Sequence, residues 1–241
     1  MRELFDHRIT KAAGSCALAG GLVLSLYVFT TPGQTVENRV RIVSGHALVV
    51  DGDTLAIAGE RVRLEGIDAP ELAQRCPHRW WGTWAAGRRA KRALQQLVSG
   101  HSVQCRQRGR DKYGRVLGVC RAGAVELNAE MVRLGMAWAF VRYSQRYVAA
   151  EQVAKLNRVG IWQRTCRPAW AYREAKWSSG ASGAPRGCAI KGNITKAGRL
   201  YHMPWSPWYH KTKIEPHKGE RWFCDERQAL DAGWRPAASR S

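Results

Sequence analysis

Val49-Val50-Asp51-Gly52-Asp53-Thr54-Leu55, followed by Arg63-Leu64-Glu65-Gly66-Ile67-Asp68-Ala69-Pro70-Glu71, is the stretch that decides the fold. In its second half an apolar, β-favouring run ends in a turn holding two carboxylates three residues apart, with a guanidinium five residues before the first. In its first half Asp51 and Asp53 flank a glycine, so the chain can bend tightly and turn oxygens toward one place. Hard divalent cations want clustered oxygen ligands of this kind. A nearby arginine suits a phosphate, whose oxygens its planar fork meets two at a time. Metal, phosphate and a spare carboxylate together point to hydrolysis of a phosphodiester. Taken singly, each motif is also an ordinary hairpin turn or helix start. The combination is far more specific, and Asp111-Lys112-Tyr113-Gly114-Arg115 adds a third member.

These three motifs, in this order and spacing, resemble the staphylococcal-nuclease (thermonuclease-like) family. So does the helix-like Glu126-Leu127-Asn128-Ala129-Glu130-Met131-Val132-Arg133-Leu134-Gly135 after them, and the resemblance runs from about Val40 to about Trp162. It implies a calcium-dependent nuclease that cuts DNA and RNA with little sequence specificity and leaves 3′-phosphate ends. By matching motifs, Asp53, Asp68 and the carbonyl of Ala69 would hold one calcium ion, with Asp51 helping through water. Glu71 would activate or order the attacking water, and Arg63 and Arg115 would grip the phosphate. Lys112, Tyr113 and Tyr143 would bind the terminal nucleotide. Val141 stands where the family has a tyrosine, so part of that clamp is altered. The alternative is a non-catalytic OB module that holds nucleic acid or another polyanion at the cell envelope. The intact set of Asp53, Asp68, Glu71, Arg63 and Arg115 favours the enzyme.

Charge supports a polyanionic partner. The 241 residues carry a formal net charge of +20 and a pI of about 10.3, far more than solubility alone requires. Arg79, Arg88, Arg89, Lys91 and Arg92, then Arg106, Arg108 and Arg110, are placed to bind phosphates without reading sequence. Single-stranded or frayed DNA and RNA are the expected partners of a monomer. Trp80, Trp81 and Trp84 could stack on unpaired bases, but their helical spacing assigns them to the core.

Residues 1–39 read as a signal anchor or a signal peptide. Ala12–Thr31 is a run of twenty residues without a charge, preceded by a slightly positive flank, and a helix of that length can just span a bilayer. No clean small-residue cleavage site follows, which favours an uncleaved anchor over a secreted product. Either way the remainder is expected outside the cytoplasm, facing the periplasm or the exterior. Cysteine usage agrees: Cys16 lies inside the apolar run, leaving Cys76, Cys105, Cys120, Cys166, Cys188 and Cys224, an even set suited to an oxidising compartment. Cys105 and Cys120 sit symmetrically about an expected hairpin turn. Cys188 and Cys224 bracket the C-terminal module, and Cys76 with Cys166 remains.

Short runs rich in Val, Leu or Ile at 41–50, 54–58, 61–67, 102–107 and 115–121 read as five strands separated by glycine-containing turns. Helical stretches are expected at about Trp80–Val98, Leu127–Leu134 and Tyr143–Val159. The fold class is therefore α+β, mainly β: a five-stranded OB-fold barrel with three helices. The OB-fold domain is expected over 40–176, a flexible linker over 177–187 and a small disulfide-stapled module over 188–241. The module resembles the small C-terminal units called sunset domains, and its histidines read as surface residues because no Cys-x-x-Cys pair accompanies them.

Overall fold

The computed structural model describes residues 40–111 and 113–237. The expected signal or anchor segment at 1–39 and the nucleotide-binding Lys112 lie outside the described residues.

The barrel is made by a chain that leaves one sheet edge and arrives at the other within a single residue. β1 (Ile42–Gly45) pairs antiparallel with β8 (Val103–Arg110), and β2 (Ala47–Val49) pairs antiparallel with β3 (Thr54–Ile57). Only His46 separates β1 from β2, yet they are the opposite ends of the sheet, β1 beside β8 and β2 beside β3. A sheet whose two edges are halves of one bent strand must curl. β4 (Glu60–Leu64) pairs antiparallel with β3 and parallel with β9 (Val116–Ala122), and β8 and β9 pair antiparallel as neighbours in the sheet. The short β5 (Ile67–Asp68) continues from β4 after Gly66, whose φ of +75° supplies the bend.

Alternation fills the interior. Leu55 and Ile57 on β3, and Val62 and Leu64 on β4, are fully buried at two-residue intervals, as one face of a pleated strand requires. α1 (Ala86–Val98) and α2 (Leu127–Arg133) pack Ala90, Leu94, Leu127 and Met131 against them. The buried Asn128 ties the layers: its Oδ1 accepts from Cys120 N at 3.0 Å, and its Nδ2 donates to the carbonyls of Glu65 (2.9 Å) and Gly118 (3.1 Å).

Two expected helix starts come late. α1 begins at Ala86, not Trp80, because residues 76–84 form a small hairpin of β6 (Cys76–Pro77) and β7 (Thr83–Trp84). Gly82 takes φ +71° at its turn, a backbone state that cannot continue a helix. The three tryptophans are accordingly not all core. Trp80 and Trp81 are 73% and 84% exposed, while Trp84 is half-buried beside Cys76, Trp138 and Ile161. Lys91 departs the other way: it is buried on α1 and is not on the outer basic face. After β10 (Val125–Glu126) and β11 (Trp138–Ala139), Tyr143 and Ser144 fold back on the Phe140 carbonyl in a turn, so α3 runs only over Val148–Leu156.

The expected linker at 177–187 is helical as far as Ser182. α4 (Ala169–Ser182) continues through the small residues because both of its ends are packed. Trp170 stacks on Phe140 at 5.5 Å between ring centroids, and Trp177 packs on the C-terminal core with Trp205 6.3 Å away. Gly180 lies so close to Pro204 and the Tyr209 hydroxyl that a Cβ there would sit 3.1 Å from each. Beyond it, β12 (Ile190–Thr195), β13 (Gly198–His202), β14 (Arg221–Phe223), α5 (Glu226–Asp231) and β15 (Arg235–Pro236) follow. The sheet order β14-β12-β13-β15 encloses a separate core of Ile190, Tyr201, Phe223, Ala229 and Trp234.

All three expected disulfides are formed: Cys76–Cys166, Cys105–Cys120 and Cys188–Cys224. Among the described residues no helix is long and apolar enough to cross a membrane.

Candidate active site

The site grows from one strand pairing. Thr54 lies opposite Arg63 in the β3–β4 ladder, and Leu64 N donates to the Asp53 carbonyl at 2.8 Å, so Asp53 is carried to the side of Arg63. Arg63 then reaches both acidic turns. Its Nη1 donates to Asp53 Oδ1 at 2.9 Å and its Nη2 to Asp68 Oδ1 at 2.8 Å. Ala69 N donates to Asp53 Oδ2 at 2.9 Å, which closes the two turns onto each other. Gly52 permits the approach: a Cβ there would lie 2.7 Å from the Ala69 Cβ and 2.8 Å from that of Ala90.

Glu71 is set by backbone packing. Gly87 on α1 sits so tightly under it that a Cβ would fall 1.9 Å from the Glu71 carbonyl oxygen. The buried Gln74 accepts from Glu71 N at 3.2 Å and donates from Nε2 to the Arg167 carbonyl at 2.7 Å, linking this loop to the root of α4.

Arg173, on α4, completes the arrangement and had no signal in the sequence. Its Nη2 donates to Asp68 Oδ2 at 2.8 Å, and its Nη1 donates to Asp68 Oδ1 at 3.1 Å and to Glu71 Oε1 at 2.7 Å. It stands 105 residues from Asp68, in a stretch without a motif. Only the nearby Cys166, as a bridge partner of Cys76, could have hinted that this segment returns to the site.

The electrostatics follow. Burial pushes the Asp51 carboxyl up to about 6, helped by the charge of Asp53. Asp53 feels the same burial, but Arg63, the Ala69 N–H, Arg115 and Arg173 outweigh it and hold its carboxyl below the ordinary range. Burial also pushes Glu71 up, to about 7, against the opposing pull of Arg173. The guanidiniums of Arg63 and Arg173 resist burial because their carboxylate partners hold the charge on them, so both are raised.

Of the residues expected from the sequence, Asp53, Asp68, Arg63, Glu71 and the Ala69 backbone converge. Arg115 stands at the margin. Its Nε donates to Asp111 Oδ2 at 2.7 Å, its guanidinium lies 5.6 Å from the Tyr113 ring, and its charge reaches Asp53. Tyr113 is half-buried on that turn. Tyr143 is 70% exposed, edge-on to Phe140 at 4.9 Å, and is not among the converging groups.

Among the described residues no three His, Cys, Asp or Glu side chains form a ready metal cage. The donors nevertheless fit a hard cation of low protein coordination. Asp53 and Asp68 are both buried and share one guanidinium fork, so positive charge already stands between two carboxylates.

A phosphodiester-hydrolysing nuclease built on a curled, OB-like sheet is the class that this fold and this carboxylate–guanidinium cluster fit. The staphylococcal nuclease homologue family model matches residues 61–164, and a second model, ArfC, matches residues 172–236. The succinoglycan biosynthesis protein ExoI of Rhizobium meliloti is 35% identical over 156 residues, spanning 64% of this chain and 80% of its own. An uncharacterized endonuclease of Haemophilus influenzae is 35% identical over 147 residues, 58% of this chain and 75% of its own. A micrococcal nuclease of Shigella flexneri is 35% identical over 145 residues, 53% and 78% of the two chains. The chain belongs to the staphylococcal nuclease homologue family.

Proposed function

We propose that this nuclease hydrolyses DNA and RNA with little sequence preference, requires calcium, leaves 3′-phosphate ends and acts outside the cytoplasm. The observation that carries the reading is the single Arg63 fork bridging the buried Asp53 and Asp68, with Glu71 joined to Asp68 through Arg173. Asp53, Asp68 and the Ala69 carbonyl would hold the calcium ion. When bound, it supplies Lewis-acid polarisation of the phosphate and a template for its approach.

The side chains divide the remaining chemistry. Arg63 and Arg115 neutralise charge that builds on the phosphoryl oxygens, where losing one donor typically costs about 3–4 kcal/mol of transition-state stabilisation. Glu71 takes the proton of the attacking water. A carboxyl raised toward neutrality is better matched to that transfer than one at its ordinary value. The leaving 5′ oxygen departs to yield the 3′-phosphate.

Substrate handling has its own supports. The net charge of +20 favours a polyanion and binding that weakens as salt rises. Trp80 and Trp81 project from the β6–β7 hairpin with the Arg79 guanidinium 5.2 Å from the Trp80 ring. Exposed rings beside a cation suit unpaired bases, which favours single-stranded or frayed substrates. The three disulfides and the uncharged run at 12–31 support action in an oxidising compartment, tethered to or released from a membrane.

The test is the metal requirement of an Asp68→Asn protein. Wild type is expected to cleave with calcium and stop with excess chelator, and the variant to bind single-stranded DNA while failing to cleave it. Tight, salt-sensitive binding by wild type with no cleavage under any divalent ion would establish the non-catalytic binding module instead.

A further inference from the structure

Asp68 is gripped from two sides, and only one grip is part of the barrel. Arg63 holds Oδ1 from β4 and is shared with Asp53. Arg173 holds both oxygens from α4, outside the stretch matched by the nuclease family model. Among the hydrogen bonds of the described residues, Oδ2 receives Arg173 Nη2 alone. The Asp68 side chain is fully buried with these guanidiniums in place. A hard cation needs a carboxylate oxygen at roughly 2.3–2.6 Å, and Arg173 already bonds both oxygens of Asp68.

We propose that Arg173 is the internal occupant of the cation site, competing with a divalent ion for Asp68 and so setting the metal affinity of the enzyme. The inference rests on the calcium reading above. Exchange requires Arg173 to move and Arg63 to stay. Withdrawing Arg173 frees Oδ2 of its hydrogen bond and leaves the Arg63 bridge between Asp53 and Asp68 intact. Withdrawing Arg63 would break that bridge and leave Arg173 still covering Oδ2.

The retreat is a side-chain motion on a fixed backbone. The root of α4 is pinned to the Glu71 loop by the Cys76–Cys166 bridge and by Gln74 bonding to the Arg167 carbonyl. One turn on, Trp170 stacks on Phe140 and meets Trp138 edge-on. The bridge keeps the guanidinium within reach at high local concentration, so the ion always meets an intramolecular competitor. With Arg173 gone, Asp68 faces one guanidinium in place of two, so its remaining negative charge attracts calcium more strongly.

The experiment is isothermal titration of calcium chloride into metal-free, full-length protein: wild type, Arg173→Met and Arg173→Lys. The methionine variant keeps an unbranched, flexible side chain and loses the charge, and is expected to bind calcium at least tenfold more tightly. The lysine variant, lacking the fork, is expected to fall between. Equal or weaker binding by a folded Arg173→Met protein, with wild type binding calcium, overturns the exchange and leaves the calcium reading standing. No binding by either protein sinks both. Should Arg173→Met fail to fold, side-chain NMR of wild type decides: calcium should shift the Arg173 Nη–H signals and speed their exchange with water, because their carboxylate partners are lost. Arg173 side-chain signals unchanged at saturating calcium would count against exchange.

Discussion

Two guanidiniums meet at Asp68, and they come from different kinds of structure. Arg63 is five residues away, on a strand whose register with β3 fixes where its fork points. Arg173 is 105 residues away, on a helix whose position depends on a disulfide, a buried glutamine and a stacked tryptophan. The first is local geometry and follows from the barrel. The second is tertiary assembly. A site can thus have one half written into a strand register and the other delivered by an appended segment.

Experiments that separate these halves can be ordered by size. The largest effect belongs to the barrel half. Glu71→Gln should lower kcat by about 10²–10⁴, and Arg63→Ala should lower it by about 10²–10³, with far-UV circular dichroism unchanged in the first case. If Glu71→Gln retained full activity, the barrel half would not be the chemical half.

Next comes the covalent tie of the delivered half. Cys76→Ala with Cys166→Ala opens a loop spanning 90 residues, for which chain entropy predicts a loss of about 4–5 kcal/mol. The Cys105→Ala/Cys120→Ala pair opens one spanning 15 residues, for which about 3 kcal/mol is expected. Thermal denaturation of the two double variants should rank them in that order. The first should also loosen α4, seen as faster hydrogen exchange over 169–176.

Smaller still is the backbone seat of Glu71. Gly87→Ala introduces a methyl where the Glu71 carbonyl already lies, so the loop must shift. Misplacing a reacting group by about 1 Å can cost on the order of 10² in rate, and steady-state kinetics should show that loss mainly in kcat. The smallest effect lies away from both halves. Trp80→Ala and Trp81→Ala should weaken binding of single-stranded DNA by about 1–3 kcal/mol for each stacked base lost. Fluorescence anisotropy checks affinity, and kcat at saturation should stay near wild type.

Legibility in the sequence followed the same division. Asp53, Arg63, Asp68 and Glu71 were readable because they lie within nineteen consecutive residues whose strand and turn pattern brings them together. The curled sheet was readable from period-two burial such as Leu55 with Ile57. Disulfide positions were readable because hairpin symmetry constrained Cys105 with Cys120, which narrowed the rest. Arg173 was not, since nothing local distinguishes it from the other arginines of a strongly basic chain. Residues 177–182 looked like a linker because Ser and Gly are poor helix formers. Packing of Trp177 and Gly180 on the C-terminal sheet overrides that preference. Trp80 and Trp81 have the spacing of a helix's buried face, but the turn at Gly82 removes the helix.

The central claim is that the Asp53–Asp68–Glu71 cluster is a metal-dependent hydrolytic site. Its most direct test is cleavage of single-stranded DNA by wild type and Glu71→Gln, each with calcium and again with excess chelator, alongside binding of the same DNA. The account predicts cleavage by wild type with calcium only, and near-wild-type binding with almost no cleavage by Glu71→Gln. Cleavage that survives chelator, or a Glu71→Gln protein as active as wild type, would contradict it.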